Sequence, residues 1–138
     1  MIVVDASVLV SAAWPSDVNH QISRAWLQSY VRSSETMTAP VLIFSEVGGA
    51  LMRRTQRAGL TVRALQRIRL LPRFTPVPVD VVLGDDASDL AVALQLRGAD
   101  AVYVALAAQL IVPLITWDQE QLVRGSQRVT TYEPAAQP

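Results

Sequence analysis

Met1-Ile2-Val3-Val4-Asp5 opens the chain: an apolar, mostly β-branched run that stops at a carboxylate. A run this short and this apolar fits a strand covered on both faces, the kind found inside parallel sheets. The pattern returns near the other end as Val112-Pro113-Leu114-Ile115-Thr116-Trp117-Asp118, again closing on an Asp. In open parallel sheets, ligands bind beyond the carboxyl ends of the strands. If the two runs lie side by side and parallel, Asp5 and Asp118 share that edge.

Between these runs the apolar spacing is helical. Ser7–Ala13 reads as a helical turn closed by Trp14-Pro15-Ser16-Asp17. Residues 20–32 carry Ile22, Ala25, Trp26, Leu27, Tyr30 and Val31 at helical spacing, and Thr36–Ala39 reads as a second strand. Pro40 suits the first turn of a helix running to Arg57, with Gly59 as its stop. Gly48-Gly49 inside that helix cost ~1–2 kcal/mol in propensity, which implies close packing. Thr61 caps a helix to Leu71, and Phe74–Val79, with its prolines, leads into an edge strand. A helix from Asp80 or Asp86 runs to Arg97 with Gly98 as its stop, and Asp100 starts another to Leu110. A short helix through Leu122 ends at Gly125, and Arg128–Tyr132 is a last strand. Alternating strands and helices imply an α/β domain with a mainly parallel sheet and helices on both faces. Residues 1–133 form that single domain, and 134–138 read as a disordered tail.

Composition narrows the chemistry. The chain has 138 residues, room for one domain. It has no cysteine, which excludes disulfides, zinc–thiolate sites and a thiol nucleophile. All twelve cationic side chains are Arg, so P-loop, Schiff-base and Lys-assisted phosphoaspartate chemistry fall away. No basic segment precedes an apolar one, and no apolar run approaches the ~20 residues of a membrane span. A cytoplasmic protein without membrane contact is the expectation. Between Glu46 and Asp80 there are seven Arg and no acid, and elsewhere five Arg face twelve acids. That asymmetry points to an anionic partner or to solvated helix faces.

Two further acids stand out. Glu46 interrupts Val41-Leu42-Ile43-Phe44-Ser45-Glu46-Val47-Gly48-Gly49-Ala50-Leu51-Met52, a helix apolar nearly all round and so expected to be buried. Its neighbours one turn away are Leu42, Ile43, Gly49 and Ala50, which supply no cation. Asp100 begins Asp100-Ala101-Val102-Tyr103-Val104-Ala105-Leu106-Ala107, either as a cap aided by Arg97 or as a functional group. Four carboxylates converging on one sheet edge repel one another, and a hard divalent cation, Mg²⁺ or Mn²⁺, resolves that repulsion with oxygen ligands. Such a cation activates water and stabilises in-line displacement at phosphorus. Ser7 and Thr116, each two residues from an Asp, orient a ligand or cap the adjacent helix. Arg53, Arg54 and Arg57, beyond Glu46, are the candidate phosphate contacts.

Val3-Val4-Asp5-Ala6-Ser7-Val8-Leu9, Ser45-Glu46-Val47, Gly98-Ala99-Asp100-Ala101-Val102-Tyr103 and Leu114-Ile115-Thr116-Trp117-Asp118, in this order, resemble the PIN domain. The nearest likeness within it is to the VapC toxins of type II toxin–antitoxin pairs. The resemblance implies a three-layer α/β/α sandwich and Mg²⁺- or Mn²⁺-dependent endoribonuclease activity on tRNA or rRNA. The acids of that activity match Asp5, Glu46, Asp100 and Asp118. It further implies a homodimer and a VapB-like antitoxin that covers the active-site groove. Two departures are Gly48-Gly49 after the helix acid and Gln119-Glu120-Gln121-Leu122, which lacks the basic residue often found after the last acid. The other readings of these residues are a non-catalytic PIN-like protein-binding module, and a PIN-like nuclease acting on DNA or in RNA processing. A dehalogenase-type phosphatase needs a second Asp where Ser7 stands and typically a Lys.

Overall fold

The computed structural model describes residues 1–136. Among them are five strands and seven α-helices: β1 (Ile2–Val4), α1 (Ala6–Ala13), α2 (His20–Arg32), β2 (Met37–Pro40), α3 (Ile43–Thr55), α4 (Ala58–Arg69), β3 (Phe74–Val77), α5 (Val81–Leu94), α6 (Gly98–Leu110), β4 (Leu114–Ile115), α7 (Gln119–Val123) and β5 (Thr131–Tyr132). The sheet is wholly parallel, in the order β3-β2-β1-β4-β5. Helices flank it as the outer layers of an α/β/α sandwich.

β1 and β4 are buried along their whole length, as their apolar runs require. The chain winds from β1 through β2 to β3 on one side, and from β4 to β5 on the other. The order therefore reverses between β1 and β4, which are direct neighbours with Val3 beside Leu114 and Val4 beside Ile115. Open α/β sheets bind ligands at such a reversal. Asp5 and Asp118 stand just past these two strands. α6 lies against β1, β2 and β4 and packs on α5, while α1 packs on α2 and α3. The core gathers Val3, Val4, Leu9, Met37, Ile43, Leu51, Tyr103, Leu106, Leu114 and Ile115, each at most 2% exposed. No single helix among the described residues is long and apolar enough to cross a membrane.

Several local readings are corrected. Pro40 ends β2 rather than starting a helix. It lies past the stretch of β2 that pairs with β1, so its missing N–H breaks no bond to that neighbour. α3 is not apolar on every side: Ile43, Val47 and Leu51 form one buried stripe, and Met52 is exposed. Gly59 and Gly98 do not stop helices but sit in the first turns of α4 and α6. The stops are Gln56, Gln95 and Ile111, all left-handed at φ 53, 55 and 56. Thr61 is no cap; its hydroxyl donates to the Arg57 carbonyl one turn back. Asp80 does cap α5, accepting from the Leu83 N–H at 2.9 Å. Pro134–Ala136 form a 3₁₀ turn seated against α2, with Pro134 buried. Residues 137–138 of the expected tail lie outside the described residues.

Candidate active site

Each of the four acids reaches the site from a different piece of backbone. Asp5 follows β1 and caps α1, accepting from the Ser7 N–H at 2.8 Å. Asp118 follows β4 and caps α7, accepting from the Gln121 N–H at 2.9 Å. Glu46 lies in the first turn of α3 and Asp100 in the first turn of α6. Asp5, Glu46 and Asp100 line one groove of about 710 Å³, together with Ser7, Arg53 and Arg54. Asp118 is tied to it through Arg97, whose Nε donates to Asp100 and whose Nη2 donates to Asp118, both at 2.9 Å. Two other grooves, of about 680 and 520 Å³, contain none of the four acids.

The electrostatics follow from this convergence. Burial raises the Asp5 carboxyl above its usual range, and the Asp118 charge adds to that; hydrogen bonds from Ser7 and Gln121 oppose it. Burial likewise raises Glu46, with the Asp5 and Asp100 charges acting the same way and the Tyr103 hydroxyl opposing them. Asp100 is raised by burial, then by the charges of Asp118 and Asp5, against the pull of Arg97. The acids thus sense one another as like charges in a half-dry site.

Three residues hold the acids in place, two of which, Tyr103 and Gln121, have no marked role in the sequence. Tyr103, fully buried one turn after Asp100, donates its hydroxyl to Glu46 Oε2 across the gap between α6 and α3. Gln121, also fully buried, joins the site from behind: its Nε2 donates to Asp5 Oδ1 at 3.2 Å and to the Asp100 carbonyl at 3.4 Å. Its Oε1 accepts from the Thr116 hydroxyl at 2.6 Å. Arg97 was noted beside Asp100, but not its reach to Asp118. Nothing local in the sequence marks Gln121; only its burial in the fold does, since a buried amide must find partners.

Ser7 and Thr116 do not cap helices with their side chains, since the caps of α1 and α7 are Asp5 and Asp118; both hydroxyls instead hold backbone beside the groove. The Ser7 hydroxyl accepts from the Trp117 N–H at 3.1 Å and so fastens the end of β4 to the start of α1. Thr116 is buried behind the groove, and its hydroxyl accepts from the Asp118 N–H at 2.9 Å. The basic segment does not form one surface. Arg53 and Arg54 line the groove, with Arg54 5.6 Å over the Trp14 ring and 3.7 Å from Asp17. Arg57 is exposed outside the groove's lining. Arg69 covers the Phe44 ring at 4.4 Å, and Arg73 donates to the Glu35 and Val31 carbonyls at 3.1 Å.

The donor set is all oxygen, which suits a hard cation. Among the described residues, no three carboxylate or imidazole groups stand close enough to form a ready-made cage. Two of the acids already share one cation, the Arg97 guanidinium. This arrangement fits Mg²⁺ or a similar ion that keeps several waters and is held through one or two carboxylates and substrate phosphates.

Comparison with known proteins places the fold. Residues 2–124 match the PIN domain. The chain belongs to the PIN-domain family. No curated protein matches it in sequence. Among solved structures, this PIN domain is similar to VapC20 of Mycobacterium tuberculosis, a Sarcin-Ricin loop cleaving toxin. The TM-score is 0.76 at 16% identity, covering 94% of this chain and 97% of that one. It is similar to FitAcB from Neisseria gonorrhoeae, with TM-score 0.72 at 18% identity over 99% and 100% of the two chains. VapBC2 from Rickettsia felis, bound to a fragment of its promoter DNA, gives TM-score 0.71 at 11% identity over 96% and 98%. These identities carry the fold.

Proposed function

We propose that this PIN domain is a divalent-metal-dependent endoribonuclease, acting in the cytoplasm as the toxin of a VapBC-type pair. The observation that carries the proposal is the meeting of Asp5, Glu46, Asp100 and Asp118, from four separate segments, at the β1/β4 reversal beside Arg53 and Arg54. Asp5, Asp100 and Asp118 are the carboxylates that would hold the ion, one or two of them directly and the rest through its waters, and Glu46 would ligate it or position the attacking water. A divalent cation bound there supplies charge neutralisation at phosphorus and a more acidic water. Burial and the neighbouring charges raise Glu46, which suits a carboxylate that takes a proton from water. Tyr103 fixes the orientation of that carboxylate, and Gln121 fixes Asp5. Arg53 and Arg54 receive the flanking phosphates, contacts that give affinity without sequence information.

The toxin reading is supported by the structures that share the fold: VapC20 is a cleaving toxin, and a Klebsiella pneumoniae neighbour is a toxin–antitoxin complex. A VapB-like antitoxin and a second copy of the chain are the expected partners. The test is cleavage of a panel of tRNAs and rRNA fragments by protein freed of any copurified partner, with Mg²⁺, with Mn²⁺ and with EDTA. Metal-dependent scission at defined sites is expected. Cleavage that persists in EDTA, or Mn²⁺ binding without cleavage of any RNA, overturns the nuclease assignment.

A further inference from the structure

Arg97 stands where the proposed chemistry calls for a metal ion. Its planar guanidinium spans two carboxylates from different elements, Nε to Asp100 Oδ2 and Nη2 to Asp118 Oδ2, both at 2.9 Å. A planar fork is suited to such two-point contact. The three partners are unequally anchored. The Asp100 and Asp118 side chains are 14% and 22% exposed, whereas the Arg97 side chain is 70% exposed. Asp118 commits Oδ1 to the Gln121 N–H, so the oxygen turned to the site is the one that Arg97 occupies. Arg97 itself precedes α6 in extended backbone and reaches inward from the groove wall. Glu120 Oε2 lies 4.0 Å from Nε and offers the guanidinium a second acceptor through side-chain rotation alone.

We infer that Arg97 is the resting counter-ion of the Asp100–Asp118 pair and is exchanged for the metal ion when the site loads. The inference rests on the proposed metal-dependent reading of these acids. Without metal, the guanidinium offsets the repulsion between the two carboxylates. With metal, the same oxygens turn to the ion, and Arg97 swings toward Glu120 and the groove wall. The exchange sets the loading threshold, because metal and arginine compete for the same oxygens. Ion pairs this exposed are individually weak, so the competition is worth about 2–5-fold in affinity.

The experiment is calorimetric titration of the full metal-free chain with Mn²⁺, for wild type, Arg97→Gln, Arg97→Lys, Arg53→Gln and Asp118→Asn. Arg53→Gln removes the same charge from the same groove. Arg97→Gln is expected to bind Mn²⁺ about 2–5-fold more tightly than wild type, with Arg97→Lys between them and Arg53→Gln near wild type. In a parallel Mg²⁺ titration followed by NMR, the Arg97 Nε–H resonance shifts with the same midpoint as binding. Equal or weaker binding by Arg97→Gln, or a gain no larger than that of Arg53→Gln, overturns the exchange and leaves the metal site standing. Absence of Mn²⁺ binding by wild type, or undiminished binding by Asp118→Asn, overturns the metal site and the exchange with it.

Discussion

Gln121→Met removes the buried amide behind the candidate site while keeping side-chain length, and its cost can be worked from the contacts. Met makes neither the bond to Asp5 Oδ1 nor the one from the Thr116 hydroxyl, and it also gives up the long 3.4 Å contact to the Asp100 carbonyl, too weak to change the sum. The α7 cap survives, because it uses the residue-121 backbone N–H. A hydrogen bond to a charged group is worth ~1.5–3 kcal/mol, and here the Asp5 carboxylate loses one of its donors in a buried place. The Thr116 hydroxyl has an alternative acceptor in Ser7 Oγ, 3.5 Å away, so its loss is held to ~0.5–1 kcal/mol. The sum is a destabilisation of about 2–4 kcal/mol with Asp5 ionised. Protonation of Asp5 weakens the lost bond to a neutral one, roughly half as strong, so the cost falls as pH drops through the raised Asp5 range. Urea unfolding of metal-free wild type and variant over a pH series that falls to the ordinary carboxylate range, about 4, measures both effects. A cost below about 1 kcal/mol throughout, or one that does not shrink anywhere as pH falls, refutes the claim that Gln121 supports a charged Asp5.

Other outcomes follow from the same contacts. Asp5, Glu46 and Asp100 all hold their protons more tightly in the folded chain than in the unfolded one. Metal-free stability therefore falls as pH rises from the ordinary carboxylate range, about 4, through the raised folded values. Saturating Mg²⁺ flattens that fall, and urea titrations across pH 4–9, about the span involved, show both. Asp100→Asn is expected to keep metal-free stability within about 0.5 kcal/mol or raise it, since it relieves repulsion from Asp118 and Asp5. Mn²⁺ is expected to raise the Tm of wild type and to leave that of the variant unchanged. Gly84→Ala places a methyl inside α5 where no heavy atom lies within 4 Å. It is expected to add ~0.5–1 kcal/mol of stability in a thermal melt.

The parts of this fold legible in the sequence are those set by strong local physics. The apolar runs at Ile2–Val4 and Leu114–Ile115 form neighbouring strands because few residues that apolar can be left at a surface. Their closing carboxylates then fall together by topology alone. Helix ends were less legible. Gly59 and Gly98 looked like stops, yet α3 and α5 end at Gln56 and Gln95, and the glycines begin the next helices. Successive helices follow with almost no loop there, so packing placed the turn and two glutamines accept the left-handed conformation. The supports of the site were hidden for a different reason. Tyr103 meets Glu46, Gln121 meets Asp5 and Arg97 meets Asp118 across long sequence separations. No spacing rule within one element announces such pairs. The Arg segment shows the converse, a signal in sequence that the fold divides among a groove, aromatic faces and carbonyl contacts.

The most direct test of the central claim is the rate of metal-dependent cleavage of one susceptible RNA by wild type and by Asp5→Asn, Glu46→Gln, Asp100→Asn and Asp118→Asn. Each protein is first verified as folded by circular dichroism. The account expects every one of the four to lose at least about 100-fold in rate, since together they build one charged centre. Wild-type rates retained by any folded variant, or a rate indifferent to EDTA, would contradict it.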